Sequence, residues 1–280
     1  MNTLRKILTA IAITAAASVH GQGSAGYFDL MGRADKAVAE ADFRQADSLL
    51  TEALRLEPAN PSNYLLVSNL GMIRHYMGND SMAISTLNMA HDMAPKAVTV
   101  LCNRARVFTD LGRTSEARRD YSAALDLDSA LVEARFYRGM LALREGDLPT
   151  AQEDLTILNS IAPLSRWTHL GNAVVSSASG RTQDAIVSYG KLIADDPQAD
   201  YYAMRAELYL QTGQLQEASD DIASAIEKSP DDSGLYLLRA MLNMARYRPG
   251  DAEADGRKAI ELGADPATVR RILKTKDGKR

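Results

Sequence analysis

The apolar residues of this chain recur at intervals of three and four positions, in windows of about twelve residues. Two consecutive windows show the pattern, with apolar positions at Leu101, Ala105 and Phe108, and then at Ala117, Tyr121 and Ala124. This spacing places the apolar side chains along one face of an α-helix. Because the windows come in pairs separated by helix-ending residues, the pattern predicts a series of paired, short amphipathic helices.

In each pair, one alanine marks the same point of the second helix. The intervals between the markers are 37, 34, 34, 34, 33 and 34 residues, and the markers are Ala46, Ala83, Ala117, Ala151, Ala185, Ala218 and Ala252. A fixed period of this length is typical of a solenoid in which one supersecondary unit is repeated. No change in composition divides the series, so we predict one domain of about seven repeats.

The residues between the helices fit this interpretation. Glycine stands five residues before the marker in five repeats, where its tolerance of left-handed backbone can close the first helix; these are Gly78, Gly112, Gly146, Gly180 and Gly213. Ala41 and Tyr247 occupy this position in the first and last repeats. Small residues twelve positions before the marker, such as Gly71 and Gly139, would let two helices cross closely.

This arrangement resembles the tetratricopeptide repeat, a helix-turn-helix of about 34 residues with small residues at fixed positions. The resemblance implies an all-α fold, a right-handed α-α superhelical solenoid over residues 22–265, with repeats starting near residues 27, 64, 98, 132, 166, 199 and 233. A capping helix and a basic tail are expected over residues 266–280. Gly256 stands where the last repeat should have a large residue, which leaves the packing of that repeat open.

The first residues have a different composition. Arg5 and Lys6 precede an uncharged run from Ile7 to Val19, and small residues suited to cleavage follow, ending at Gly21. This pattern is typical of a secretory signal peptide, so we expect residues 1–21 to be removed and a bacterial protein to be exported to the periplasm or secreted. A retained membrane anchor is the alternative, but a run of 13 residues is shorter than the about 20 that span a bilayer.

Composition narrows the possible partners. The chain has 32 basic and 36 acidic residues, and a net charge of −4. It therefore lacks the basic surface that nucleic-acid binding requires. The last eleven residues are an exception, since six of them are Lys or Arg. This tail could be solvated, or it could make a weak contact with an anionic surface.

The sequence contains no recognisable catalytic, cofactor or metal motif. His75, His91 and His169 are too scattered for a short ligand motif. We therefore expect no catalytic residue, no cofactor and no metal. Acidic pairs such as Asp220 with Asp221 are expected near helix ends, where they have a structural role. Cys102, the single cysteine, is expected to be a packing residue, with a reactive thiol as the alternative.

Candidate binding residues follow from the resemblance. In proteins that this chain resembles, the first helices line a concave groove, and the groove positions correspond here to Met72, Tyr76, Arg106, Phe136, Met140, Trp167, Leu170 and Met241. Two interpretations stay open. These side chains either pack against one another inside a tightly wound superhelix, or they bind an apolar or helical segment of a partner protein.

These observations favour a noncatalytic scaffold of the cell envelope whose groove binds a protein or peptide partner. The alternative is an accessory subunit of an envelope enzyme or transport system.

Overall fold

The computed structural model describes residues 23–274 of the chain. The predicted signal peptide over residues 1–21 and the final residues of the basic tail, from 275 onward, lie outside the described residues. Within the described part every regular element is an α-helix, and there are fifteen of them. The predicted all-α fold of helix-turn-helix repeats is therefore confirmed.

The helices fall into two compact units, and the first unit ends at Ile161. Its helices are α1 (Ala25–Ala39), α2 (Phe43–Leu56), α3 (Asn63–Tyr76), α4 (Asp80–Met93), α5 (Val98–Asp110), α6 (Thr114–Leu127), α7 (Val132–Arg144) and α8 (Leu148–Ile161). They form four hairpins, and within the unit the second helix of each hairpin contacts the first helix of the next.

The second unit begins at Ala162. Its helices are α9 (Arg166–Ala178), α10 (Thr182–Asp195), α11 (Ala199–Gln211), α12 (Leu215–Lys228), α13 (Ser233–Ala245), α14 (Pro249–Glu261) and α15 (Pro266–Lys274). The first six form three hairpins, and α15 packs on α13 and α14.

Within each unit the repeats pack chiefly on their neighbours, as is typical of a repeat array. The single domain expected from the sequence stays a prediction. The first helix of every hairpin begins within two residues of the repeat start expected from the sequence.

The turn inside each hairpin uses left-handed backbone. The five glycines that precede the markers have φ between 72° and 81°. Ala41 and Tyr247 hold the equivalent position in the first and last hairpins with φ of 57° and 60°, although neither is glycine. The position therefore requires a left-handed conformation whatever residue occupies it, and a non-glycine residue there adopts an unfavourable backbone.

The marker alanines form the centre of the packing, since all seven are at most 1% exposed. Close approach of the two helices also explains the small residues of the first helices. A Cβ atom added at Gly71 would lie 2.5 Å from the Cγ atom of Leu87, and one added at Gly139 would lie 3.2 Å from the Cβ atom of Asp154. A larger side chain at either position would force the helices of the hairpin apart.

The last helix covers the end of the second unit. Val269 on α15 is 5% exposed and packs near Tyr236 and Ala259. Its Cγ1 atom lies 2.7 Å from where a Cβ atom would stand on Gly256. Gly256 thus replaces the large residue of the other repeats because it makes room for α15.

Candidate functional site

The structure places two predicted binding residues of the first unit in its interior. Met72 on α3 is 2% exposed and packs against Leu87 and Val107. Phe136 on α7 is buried completely. Of the two interpretations that the sequence leaves open, the burial of Met72 and Phe136 fits internal packing, and their part in binding stays a prediction. A repeat position specifies a helix face, but it does not specify how deeply neighbouring helices cover that face.

Tyr76 and Met140 differ from Met72 and Phe136, since both are only half-buried. The Tyr76 ring stacks on the Phe43 ring of α2 with 5.4 Å between centroids. Tyr76 and Met140 are therefore the predicted apolar contacts of this unit that keep surface open to solvent.

Arg106, another predicted residue, lies at the centre of a polar and aromatic cluster. Its Nη2 atom donates to a carboxylate oxygen of Glu133 on α7. Its guanidinium carbon lies 4.9 Å from the centroid of the Tyr137 ring, and Tyr137 stacks in parallel on Tyr121 of α6 at 5.7 Å. The positive charge of Arg106 also acts on Tyr76. We call Tyr76, Arg106, Tyr121, Glu133 and Tyr137 the Arg106 cluster.

Two polar atoms of the Arg106 cluster are buried without a hydrogen-bond partner among the described residues. They are Nη1 of Arg106 and the hydroxyl oxygen of Tyr76. The Tyr121 hydroxyl hydrogen-bonds the Thr109 hydroxyl, whose own hydrogen is donated to the Ala105 carbonyl at 2.8 Å. A buried donor without an acceptor costs about 1–3 kcal/mol. Burial of these two atoms is therefore a local cost to the stability of the first unit.

Burial determines the protonation of the groups around Arg106. It raises the pKa of Tyr76 and of Tyr121, although the charge of Arg106 partly opposes the rise. Both hydroxyls consequently keep their protons and remain donors at neutral pH. Burial also raises the pKa of Cys102 to about 11. Because a thiolate is the reactive form of cysteine, this pKa favours the packing interpretation of Cys102.

The second unit contains the other three predicted residues. Leu170 on α9 is 2% exposed, so its burial also fits internal packing. Trp167 is half-buried, and the guanidinium of Arg166 lies 4.7 Å from the centroid of its ring. Met241 on α13 is 46% exposed. Trp167 and Met241 therefore keep surface available within this unit.

Sequence reasoning missed a set of buried ion pairs. An arginine of the first helix binds an aspartate of the second helix, sixteen residues later, in four hairpins: Arg104 with Asp120, Arg138 with Asp154, Arg205 with Asp221, and Arg239 with Asp255. Asp221 lies in the middle of α12, not near its end as expected. The recurring interval of sixteen was the signal in the sequence. These pairs are structural, since they join the helices of one hairpin.

Residues 23–274 contain no group of three or more His, Cys, Asp or Glu side chains arranged to hold a metal ion. None of the helices described there is long and apolar enough to cross a membrane.

Comparison with known proteins places this geometry in a family. Family models for the tetratricopeptide repeat match residues 102–155 and 176–242. The crystal structure of a tetratricopeptide repeat protein from Parabacteroides merdae is similar, with 30% sequence identity, a TM-score of 0.70, and coverage of 90% of this chain and 98% of that one.

Two more distant proteins are also similar to this chain, one in structure and one in sequence. PilF of Pseudomonas aeruginosa is 16% identical with a TM-score of 0.63, covering 74% of this chain and 95% of that one. DnaJ homolog subfamily C member 3 of Mus musculus is 23% identical over 203 residues, which cover 65% of this chain and 40% of the relative. This chain thus spans less than half the length of that curated relative. On the identity and coverage shared with the Parabacteroides merdae protein, the chain belongs to the tetratricopeptide repeat family.

Proposed function

We propose that this chain is a noncatalytic protein-interaction scaffold of the cell envelope, which binds a segment of a partner protein along its first helices. One observation carries the proposal. Large side chains remain partly exposed on the first helices, at Tyr76 and Met140 in the first unit and at Trp167 and Met241 in the second. The small residues that join the helices are fully buried and do not contribute to this surface.

The chemistry of these four residues suits binding of a protein segment. Trp and Tyr are enriched among the residues that dominate binding energy at protein interfaces. Methionine is flexible and polarizable, so it adapts to differently shaped apolar partners. The tetratricopeptide repeat also supports a scaffold role, because repeat arrays offer extended binding surfaces.

Placement in the cell envelope rests on the first residues of the sequence. Removal of residues 1–21 by a signal peptidase would release the repeats into the periplasm or the medium. N-terminal sequencing of the protein recovered from fractionated bacteria tests this part. A mature N-terminus at Gln22 supports export, and an intact Met1 in the cytosolic fraction contradicts it.

Matched methionine variants test the binding surface. Met241 on the first helix α13 and Met89 on the second helix α4 are 46% and 48% exposed. We expect Met241→Ala and Trp167→Ala to weaken crosslinking to envelope partners severalfold, whereas Met89→Ala leaves it unchanged. Circular dichroism shows whether each variant retains its helices. Equal crosslinking by all three folded variants would contradict the proposal, and recovery of an enzyme or transport complex would favour the accessory-subunit alternative.

A further inference from the structure

The last helix, α15, carries a positively charged face. Arg270, Arg271 and Lys274 are all exposed, and the helical period places them within an arc of about 100° around the helix axis. The helix itself contains no acidic residue. Among the described residues, no carboxylate lies within ion-pair distance of these three side chains. We call Arg270, Arg271 and Lys274 the basic face of α15.

The acidic residue just before α15 is engaged by the start of the helix. The carboxylate of Asp265 accepts hydrogen bonds from the backbone nitrogens of Ala267 and Thr268, both at 3.1 Å. The bond from Ala267 is the main cause of a lowered Asp265 pKa, and Arg270 makes a smaller contribution. Asp265 therefore caps the helix and leaves the basic face without a directly paired carboxylate.

The cations of the neighbouring helix α14 differ from those of α15. Arg257 lies 4.0 Å from Glu253, and Lys258 lies 3.6 Å from Glu261, so nearby carboxylates offset their charges. The sequence sharpens the contrast, because residues 266–280 contain six basic residues and one acidic residue while the whole chain has 32 basic and 36 acidic residues. The basic face is thus a local positive surface on an acidic protein.

The apolar side of α15 is covered by the protein. Val269 is buried, and Leu273 is half-buried against the cluster that contains Tyr236 of α13 and Ala259 of α14. A helix that inserts into a membrane surface places its apolar side in lipid, and here that side packs on α13 and α14 instead. An interaction of α15 with a partner must therefore depend on its charges.

We propose that α15 and the basic residues that follow it bind the anionic surface of a lipid membrane and hold the end of the second unit there through charge. An anionic membrane strengthens binding about fivefold for each Lys or Arg close to its surface. The inference goes beyond the scaffold function and depends only on the proposed placement in the cell envelope.

A membrane suits this face better than other anionic partners. It presents many charged headgroups side by side, so several cations of one helix can bind without a particular arrangement. Nucleic-acid binding depends on a broad basic surface, which an acidic chain with one short basic helix does not provide. Protein interfaces depend on apolar or aromatic anchors, and the large apolar side chains of α15 are buried or half-buried.

Vesicle sedimentation tests the proposal on the processed chain that begins at Gln22, because the apolar run from Ile7 to Val19 is expected to enter lipid by itself. One set of vesicles is phosphatidylcholine, and the other is an equimolar mixture with phosphatidylglycerol. We expect binding to the mixed vesicles alone, and its loss in about 1 M salt, where the Debye length is about 3 Å. Equal binding to both sets, or binding that survives the salt, would overturn the proposal.

Two triple variants with the same change in net charge assign the binding to α15. The first changes Arg270, Arg271 and Lys274 to Gln. The control changes three exposed basic residues outside α15 to Gln, namely Arg119, Lys191 and Lys228. We expect the first variant to bind mixed vesicles at least tenfold more weakly and the control to bind nearly as the unchanged protein does. Equal weakening in both would attribute binding to net charge and overturn the role of α15.

Smaller changes keep the test valid if circular dichroism shows that the triple variant does not fold. Arg271→Gln alone should weaken binding about fivefold. Removal of residues 275–280 leaves the basic face in place, so we expect weaker but still salt-dependent binding. Complete loss of binding in the shortened chain would assign the interaction to the tail and overturn the part of α15.

A short DNA duplex and glycerol phosphate test other sources of the anionic group. We expect neither to displace the protein from mixed vesicles at matched phosphate concentration, and displacement by either would overturn the assignment to a membrane. Vesicle binding without crosslinking through Trp167 and Met241 would contradict the scaffold function and leave this inference standing. Crosslinking without vesicle binding would overturn this inference alone.

Discussion

The ion pair between Arg205 and Asp221 illustrates how single residues hold a hairpin together. Two guanidinium nitrogens of Arg205 bind the two carboxylate oxygens of Asp221, each at 2.7 Å. The Asp221 side chain is 7% exposed and that of Arg205 is 20% exposed. Removal of one partner from such a pair leaves the other charge buried and uncompensated.

We expect Asp221→Asn to lower the free energy of unfolding by about 3 kcal/mol, as found when one member of a buried pair is removed. The control is Asp220→Asn, which changes the neighbouring, exposed aspartate and should alter stability by less than about 0.5 kcal/mol. Urea denaturation followed by circular dichroism measures both. Similar losses of unfolding free energy in the two variants would show that the effect of Asp221→Asn comes from the change in net charge and not from the lost pair with Arg205.

Ala41 offers a second test at a single residue. Its φ of 57° lies in the left-handed region, where the Cβ atom is unfavourable. We expect Ala41→Gly to raise the free energy of unfolding by about 0.5–1 kcal/mol, because glycine adopts this conformation without strain. The same change at Ala39, an exposed residue at the end of α1, should lower stability instead. Thermal denaturation of both variants shows whether Ala41→Gly raises stability while Ala39→Gly lowers it. A loss of stability in both variants would contradict the prediction.

At the scale of elements, His75 joins the end of α3 to the helices on either side. Its Nδ1 atom lies 2.7 Å from a carboxylate oxygen of Asp80 at the start of α4, and its Nε2 atom lies 3.2 Å from one of Asp110 at the end of α5. The hydrogen bond with Asp110 is the main cause of a raised His75 pKa; burial opposes the rise, and Asp80 adds to it. The protonated imidazole can donate to both carboxylates at once.

This geometry predicts that His75 stabilises the contact of α3 with α4 and α5 in a pH-dependent way. Because the pKa of His75 is raised in the folded state, its contribution is fully present below the unfolded-state pKa of about 6.5 and is lost as the pH rises through the folded-state pKa. His75→Gln should therefore destabilise the protein more at pH 5.5 than at pH 8.5 in urea denaturation. His91→Gln is the control, since the imidazole of His91 lies 3.8 Å from the exposed carboxylate of Asp92, and exposed ion pairs contribute little to stability. An equal loss at both pH values in His75→Gln would contradict the prediction.

The contact between α14 and α15 can be tested by changing Gly256 and Val269 singly and together. A Cβ atom on Gly256 would lie 2.7 Å from Val269, so Gly256→Ala should displace α15. We expect faster amide hydrogen exchange over residues 266–274 in this variant. Val269→Ala removes the clashing methyl groups, so the double variant should be more stable than the sum of the two single effects predicts. Strict additivity would show that Gly256 and Val269 do not meet.

At the scale of the whole molecule, the periodic part of the structure was predictable from the sequence. The marker alanines and the glycines before them specify where helices pack and end, because burial and left-handed backbone allow few residue types. Ala41 and Tyr247 show that the repeat register fixes the backbone even where the usual glycine is absent.

The nature of individual side-chain contacts was less predictable. Met72, Phe136 and Leu170 have the repeat positions of surface contacts, yet neighbouring helices bury them. A helix face can be deduced from one sequence, but depth depends on the side chains that surround it. The residues of the Arg106 cluster lie on α3, α5, α6 and α7 and are up to 61 positions apart, and no local pattern relates them.

The division into two compact units makes a prediction about how instability spreads. In a repeat array, each repeat is stabilised by itself and by its neighbours, so a local defect should loosen the repeats around it first. Asp154 in the first unit and Asp221 in the second are each a buried aspartate bound by an arginine sixteen residues earlier, and Asp154 also accepts from Arg135. We expect Asp154→Asn to accelerate amide hydrogen exchange mainly within residues 23–161, and Asp221→Asn mainly within residues 162–274. Mass spectrometry of peptic fragments measures both variants in parallel. Uniform acceleration over all described residues in either variant would mean that the chain opens as one cooperative unit. The two units would then differ in their contacts but would not unfold independently.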